Sequence, residues 1–117
     1  MGKLTTHVLD TASGRPGTNI SISLYKRTGS ESVLITSTVT NHDGRTDSPL
    51  LLGDDLIKGQ YELVFETADY FRQQGMTLDE IPFLDDVVLR FGINDQNQHY
   101  HVPLLVSPYS FSTYRGS

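Results

Sequence analysis

No cysteine occurs among the 117 residues, which excludes disulfides, thiolate metal centres and thiol nucleophiles together. Positive charge is scarce: nine Lys and Arg face fourteen Asp and Glu, a formal net charge of -5. No local run of Lys and Arg offsets that balance, so the basic stripe of a nucleic-acid site is missing. Long apolar runs are missing as well. The opening Met1-Gly2-Lys3-Leu4-Thr5-Thr6-His7 has neither a signal-peptide core nor a membrane span. The closing Arg115-Gly116-Ser117 is not a peroxisomal Ser-Lys-Leu address. A cytoplasmic protein with no nucleic-acid or membrane partner is therefore expected. Repeats and low-complexity stretches are also absent. What remains is an ordinary globular composition, 37% hydrophobic and 20% charged. A single domain over residues 1–117 is expected, burying about two-thirds of its unfolded surface.

Period-two patterning dominates what is present. Asn19 to Lys26 sets Ile20, Ile22 and Leu24 against Ser21, Ser23 and Tyr25, the pattern of a half-buried strand. Val33 to Thr40 alternates in the same way and is rich in β-branched residues. Gln60 to Thr67 puts Tyr61, Leu63 and Phe65 on one face, and Val87, Leu89, Phe91 and Ile93 form a further set. Leu4 to Asp10, Gln98 to Val106 and Tyr109 to Tyr114 bring the count to about seven strands. Ser13 to Gly17 and Asn41-His42-Asp43-Gly44 carry turn chemistry. Only Thr67 to Gln74 reads as helix, with Thr67 as a cap and Gly75 as the stop. Many short strands and one short helix predict an all-β sandwich.

The chemistry-bearing residues lie at the two ends of the chain and in one turn. In Gln98-His99-Tyr100-His101-Val102-Pro103-Leu104-Leu105-Val106, alternation puts His99 and His101 on one face and Tyr100, Val102, Leu104 and Val106 on the other. The second set is the better core face, so the imidazoles point away from the core. Pro103 lacks an N–H, which favours an edge or bulge there. His-x-His on a strand has three readings: structural or solvated histidines, metal ligands with His7 or an Asp as a further donor, or general acid–base groups. The motif alone does not choose among them. His7 sits in an apolar strand, where a histidine is commonly structural. Arg45 follows the Asp43-Gly44 turn, which would pre-position a planar, permanently charged fork for an anion. His42 and the pairs Asp54-Asp55, Asp79-Glu80 and Asp85-Asp86 read as surface. The aromatic, strand-like tail Ser110 to Ser117 reads as tied down, leaving Tyr114, Arg115, Ser117 and the terminal carboxylate available to a site.

These segments resemble the 5-hydroxyisourate hydrolase family, the enzymatic relatives of transthyretin. The resemblance is carried by Thr6-His7-Val8-Leu9-Asp10 with Gly14 and Pro16, Asp43-Gly44-Arg45, Tyr70-Phe71, His99-Tyr100-His101-Val102-Pro103-Leu104-Leu105 and Ser112 to Ser117. It runs the length of the chain, and the terminal Tyr-Arg-Gly-Ser separates the hydrolases from transthyretin proper. Departures are confined to Gly17, Val106 and Ser110-Phe111, outside the family's chemistry. The resemblance implies a transthyretin-like sandwich of two four-stranded sheets with one short helix. It also implies a homotetramer with sites where dimers meet, and hydrolysis of 5-hydroxyisourate to 2-oxo-4-hydroxy-4-carboxy-5-ureidoimidazoline in urate breakdown. His7, Arg45 and His101 would be catalytic, and His99, Tyr114, Arg115, Gly116 and Ser117 would bind substrate. No metal or cofactor is implied.

Overall fold

Side-chain alternation in the sequence becomes alternating burial in the structure, a computed structural model that describes residues 1–117. The strands are β1 (Lys3–Asp10), β2 (Arg15–Pro16), β3 (Ser21–Thr28), β4 (Glu31–Val39), β5 (Leu51–Leu52), β6 (Gly59–Phe65), β7 (Val87–Ile93), β8 (His99–Val106) and β9 (Phe111–Thr113). One helix, α1 (Thr67–Gln73), follows β6. One sheet runs β4-β3-β6-β7, antiparallel throughout. The other runs β2-β1-β8-β9, with the two-residue β5 added to β1. The arrangement is the expected transthyretin-like sandwich, except that the short β5 gives one sheet five strands instead of four.

The defining feature of the second sheet is that β1 and β8 pair in parallel. Thr5 lies opposite His101, His7 opposite Pro103 and Lys3 opposite His99. Parallel neighbours cannot be joined by a tight turn, so the rest of the sandwich is threaded between them. Leu4, Val8, Tyr100, Val102, Leu104 and Val106 point inward and meet Ile22, Leu24, Leu63, Phe65 and Val87 of the other sheet. Each such side chain gains about 1.5–3 kcal/mol by full burial. Lys3, Thr5, His7 and Leu9 take the outer face with His99, His101 and Leu105.

The free edge of β1 is covered piecemeal, which removes a long unpaired edge. β5 caps its start, and Arg45 bridges to His7. Gly17 N–H bonds Val8 O at 2.9 Å, and β2 covers Leu9 and Asp10. The two-residue strands are too short for any sequence period to disclose. Helix α1 buries Ala68, Tyr70 and Phe71. Its Tyr70 hydroxyl donates to Asp10 Oδ2 at 2.8 Å, while Oδ1 accepts the N–H groups of Ala12 and Ser13 at 2.9 and 3.2 Å. Burial, reinforced by Asp10, holds the Tyr70 proton on well above the usual phenol range. Thr67 does not cap the helix: Glu66 is the N-cap residue, and the Thr67 hydroxyl donates to Asp85 O at 2.9 Å. β4 is an outer strand whose Val33, Leu34, Ile35 and Val39 remain exposed. No helix is long and apolar enough to cross a membrane.

Candidate active site

Arg45 is delivered to the outer face by the turn expected from the sequence. Asn41 organises it: its Oδ1 accepts the N–H groups of Asp43 and Arg45 at 2.9 and 3.2 Å, and its carbonyl accepts Gly44 N–H at 2.9 Å. Gly44 has φ 75°, and a Cβ there would lie 2.4 Å from Val8 O. That contact exists because the Gly44 carbonyl accepts Val8 N–H at 2.8 Å, clamping the turn to β1. His7 secures the same turn from its side chain. A carbonyl only accepts, so Nε2–H donates to Asp43 O at 3.0 Å.

Gly44→Ala is accordingly expected to cost at least about 2 kcal/mol of stability and to displace Arg45. Urea unfolding checks it; an unchanged midpoint would refute this account of the turn.

Arg45, His101 and Ser117 line one cleft of about 450 Å³, together with Lys3, Thr5 and the Thr46–Pro49 segment. None of its ten lining residues is hydrophobic. His101 is half-buried, and Thr5 Oγ1 lies 2.8 Å from its Nδ1. Its pKa falls below the ordinary imidazole value, chiefly through burial and then through the nearby Arg45 and His7. The ring is therefore neutral at neutral pH, the state a general base needs. His7 stands beside the cleft rather than on its lining, close enough to disfavour charge on His101.

The tail reaches this cleft because Pro103 interrupts its pairing. β8 and β9 pair Leu104 with Thr113, and the isolated bridge between His101 and Gly116 continues the same register. Doubly bonded pairs alternate along an antiparallel ladder, so Pro103 and Tyr114 would form the next one, and Pro103 has no N–H to give. Thr113 Oγ1 donates to the Pro103 carbonyl instead, at 2.7 Å. The chain leaves the sheet at Tyr114 and Arg115 and returns at Gly116. The edge or bulge expected at Pro103 thus takes the form of an unpaired position on one side of a strand that is fully paired with β1 on the other.

This path divides the predicted site residues. Ser117 enters the polar cleft, and Gly116 packs on His101, where a Cβ would come within 3.0 Å of ring atom Cδ2. Arg115 goes to the opposite side. Its guanidinium lies 4.2 Å from the Tyr100 ring centroid, and its Nη2 donates to Gln98 Oε1 at 2.9 Å and His99 O at 3.3 Å. Tyr114 and Arg115 line a separate, mostly apolar groove with Val88, Phe91, Tyr100 and Val102. His99 is exposed, its Nε2–H donating to Met1 O at 3.3 Å, outside the polar cleft. Lys3 and Thr5 join the cleft without having been singled out from sequence. The signal was there in the alternation Lys3, Thr5, His7, which puts all three on one face. No group of three or more His, Asp or Glu converges as metal ligands would.

A sandwich of this topology, with an imidazole and a guanidinium converging on the outer face of one sheet, defines a transthyretin-like protein equipped for polar chemistry. The chain belongs to the HIUase/Transthyretin family, whose model matches residues 4–116. It is 60% identical over 117 residues to the 5-hydroxyisourate hydrolase of Pseudomonas aeruginosa, covering 100% of this chain and 93% of that protein. A solved 5-hydroxyisourate hydrolase from Klebsiella pneumoniae superposes with TM-score 0.82 at 31% identity, over 100% of both chains. A structure of (S)-allantoin synthase superposes with TM-score 0.94 at 48% identity; the match covers 99% of this chain but only 44% of that one. Identity of this extent to hydrolases makes the chain an enzyme, a hydrolase.

Proposed function

We propose that the chain hydrolyses 5-hydroxyisourate, opening its six-membered ring to 2-oxo-4-hydroxy-4-carboxy-5-ureidoimidazoline in urate breakdown, without a metal. The observation that carries this reading is the cleft in which Arg45, His101 and Ser117 meet beside His7. Ring opening of a cyclic amide needs a base for water, a cation for the developing oxyanion and a proton for the departing nitrogen. Neutral His101 takes a proton from water while the oxygen bonds to the ring carbonyl carbon. Arg45 holds the oxyanion. The carbon–nitrogen bond then breaks, the imidazolium returns its proton to nitrogen, and the new carboxylic acid releases its own proton to solvent to give the carboxylate product. His7 fixes the turn that carries Arg45 and offers Nδ1 as a second basic nitrogen. Gly116 and Ser117 close the cleft against His101.

The wider reading follows from where the remaining groups lie. A homotetramer with sites at dimer–dimer contacts would bring His99, Tyr114 and Arg115 toward substrate held by a neighbouring protomer. The exposed Val88, Phe111 and Tyr114 near the outer strands β7 and β9 favour such association. Residues 1–117 act as one unit, cytoplasmic in location.

The deciding test is ultraviolet assay of the purified chain on freshly generated 5-hydroxyisourate, with and without a strong chelator. Chelator-insensitive turnover, well above spontaneous decay, is expected. Absence of turnover refutes the substrate, and loss on chelation with rescue by zinc refutes the metal-free mechanism.

A further inference from the structure

Thr5 occupies the position on β1 directly opposite His101 in the parallel register. Its hydroxyl meets Nδ1 of that imidazole at 2.8 Å. On the opposite flank, Gly116 lies so close to the Cβ–Cδ2 edge of the ring that a Cβ there would come 3.0 Å from Cδ2 and 3.2 Å from Cβ of His101. Backbone bonds hold that contact, with Gly116 N–H donating to His101 O at 2.7 Å and His101 N–H donating to Gly116 O at 3.4 Å. The imidazole is thus held at one nitrogen and along one edge, which leaves Nε2 for the cleft. The cations lining that cleft, Lys3 and Arg45, offer only donors. A lone pair at Nε2 suits them; an N–H aimed at them does not. The proton then sits on Nδ1, where a threonine oxygen can accept it.

We infer that Thr5 is a positioning residue for the hydrolytic step, its hydroxyl accepting the Nδ1 proton of His101 and so fixing the tautomer whose Nε2 lone pair can take a proton from water. The inference rests on the cleft being the hydrolytic site. A neutral orienting group has a chemical consequence that a carboxylate would not. It selects the tautomer without raising ring basicity, so His101 stays unprotonated among its cationic neighbours.

The test combines imidazole ¹⁵N spectroscopy of the substrate-free protein with steady-state kinetics on 5-hydroxyisourate. In the parent, His101 is expected to show a protonated Nδ1 and an unprotonated Nε2. Thr5→Val keeps the β-branched shape that suits a strand and removes the acceptor. It should yield a tautomer mixture, lower kcat about 10- to 100-fold and leave KM within about 2-fold. Thr5→Ser should retain the parent tautomer and most of kcat. Protonated Nε2 in the parent, or parent kcat in a folded Thr5→Val, overturns the inference. The parent spectrum decides even if Thr5→Val does not fold. It also separates the two claims: an inactive parent removes the substrate assignment, whereas an active parent with protonated Nε2 removes only the role of Thr5.

Discussion

Arg45→Gln is expected to lower kcat/KM for 5-hydroxyisourate about 100- to 1,000-fold while leaving the unfolding midpoint near that of the parent. The asymmetry follows from how Arg45 is held. Its backbone is fixed by the His7 bridge and the Asn41 side chain, neither of which needs the guanidinium. Its exposed side chain instead lines the cleft beside His101. Lost activity with an intact fold therefore reports on charge at the reacting carbonyl. Arg45→Lys should recover only part of the loss, because an ammonium replaces the charge but not the planar fork. The same glutamine substitution removes one of the cations that disfavour protonated His101, so the ring should titrate closer to the ordinary imidazole value. Parent-like turnover in Arg45→Gln would contradict the oxyanion role, and an unmoved His101 titration would contradict the proximity.

The second large effect belongs to His101 itself. His101→Asn should cost about 100- to 10,000-fold in kcat. In the parent, kcat/KM should stay flat through neutrality and fall only as pH drops through a pKa below the ordinary value of 6.5. The sign follows from the causes: burial, Arg45 and His7 all oppose the imidazolium, so the folded protein takes up this proton less readily than the unfolded chain. Below the ordinary value the unfolded chain binds more protons here. This group's contribution to stability is therefore present above that value and is lost as pH falls toward the lowered one. A pH–rate series places the limb, and a limb at or above the ordinary imidazole value would refute the general-base assignment.

Faces were legible in the sequence; neighbours were not. Alternation in residues 98–106 was enough to send His99 and His101 outward and Tyr100, Val102, Leu104 and Val106 inward, because a strand has only two sides. The turn at Asn41 to Gly44 could be read because its side-chain and glycine chemistry is local. The pairing of β1 with β8 leaves no such local trace. Nothing in Leu4 to Asp10 specifies a partner some 96 positions away, yet that partner places Thr5 on His101. Arg115 shows the same limit. Proximity in sequence groups it with Gly116 and Ser117, whereas its exposed guanidinium lies over Tyr100, on the side of the strand away from His101. Pro103 was legible as an edge or bulge position but not as the reason the last residues swing back to His101.

The parallel β1–β8 contact also sets a timetable for the newborn polypeptide. Leu4 and Val8 leave the ribosome early and stay without their permanent neighbour until β8 emerges, about 5–20 s later at ordinary translation rates. Closing such a distant pair is entropically slow, so assembly is a late event in which the two ends are drawn together. Thr5 and His101 come together in that same closing step, which makes their side-chain contact a direct marker for completion of this sheet.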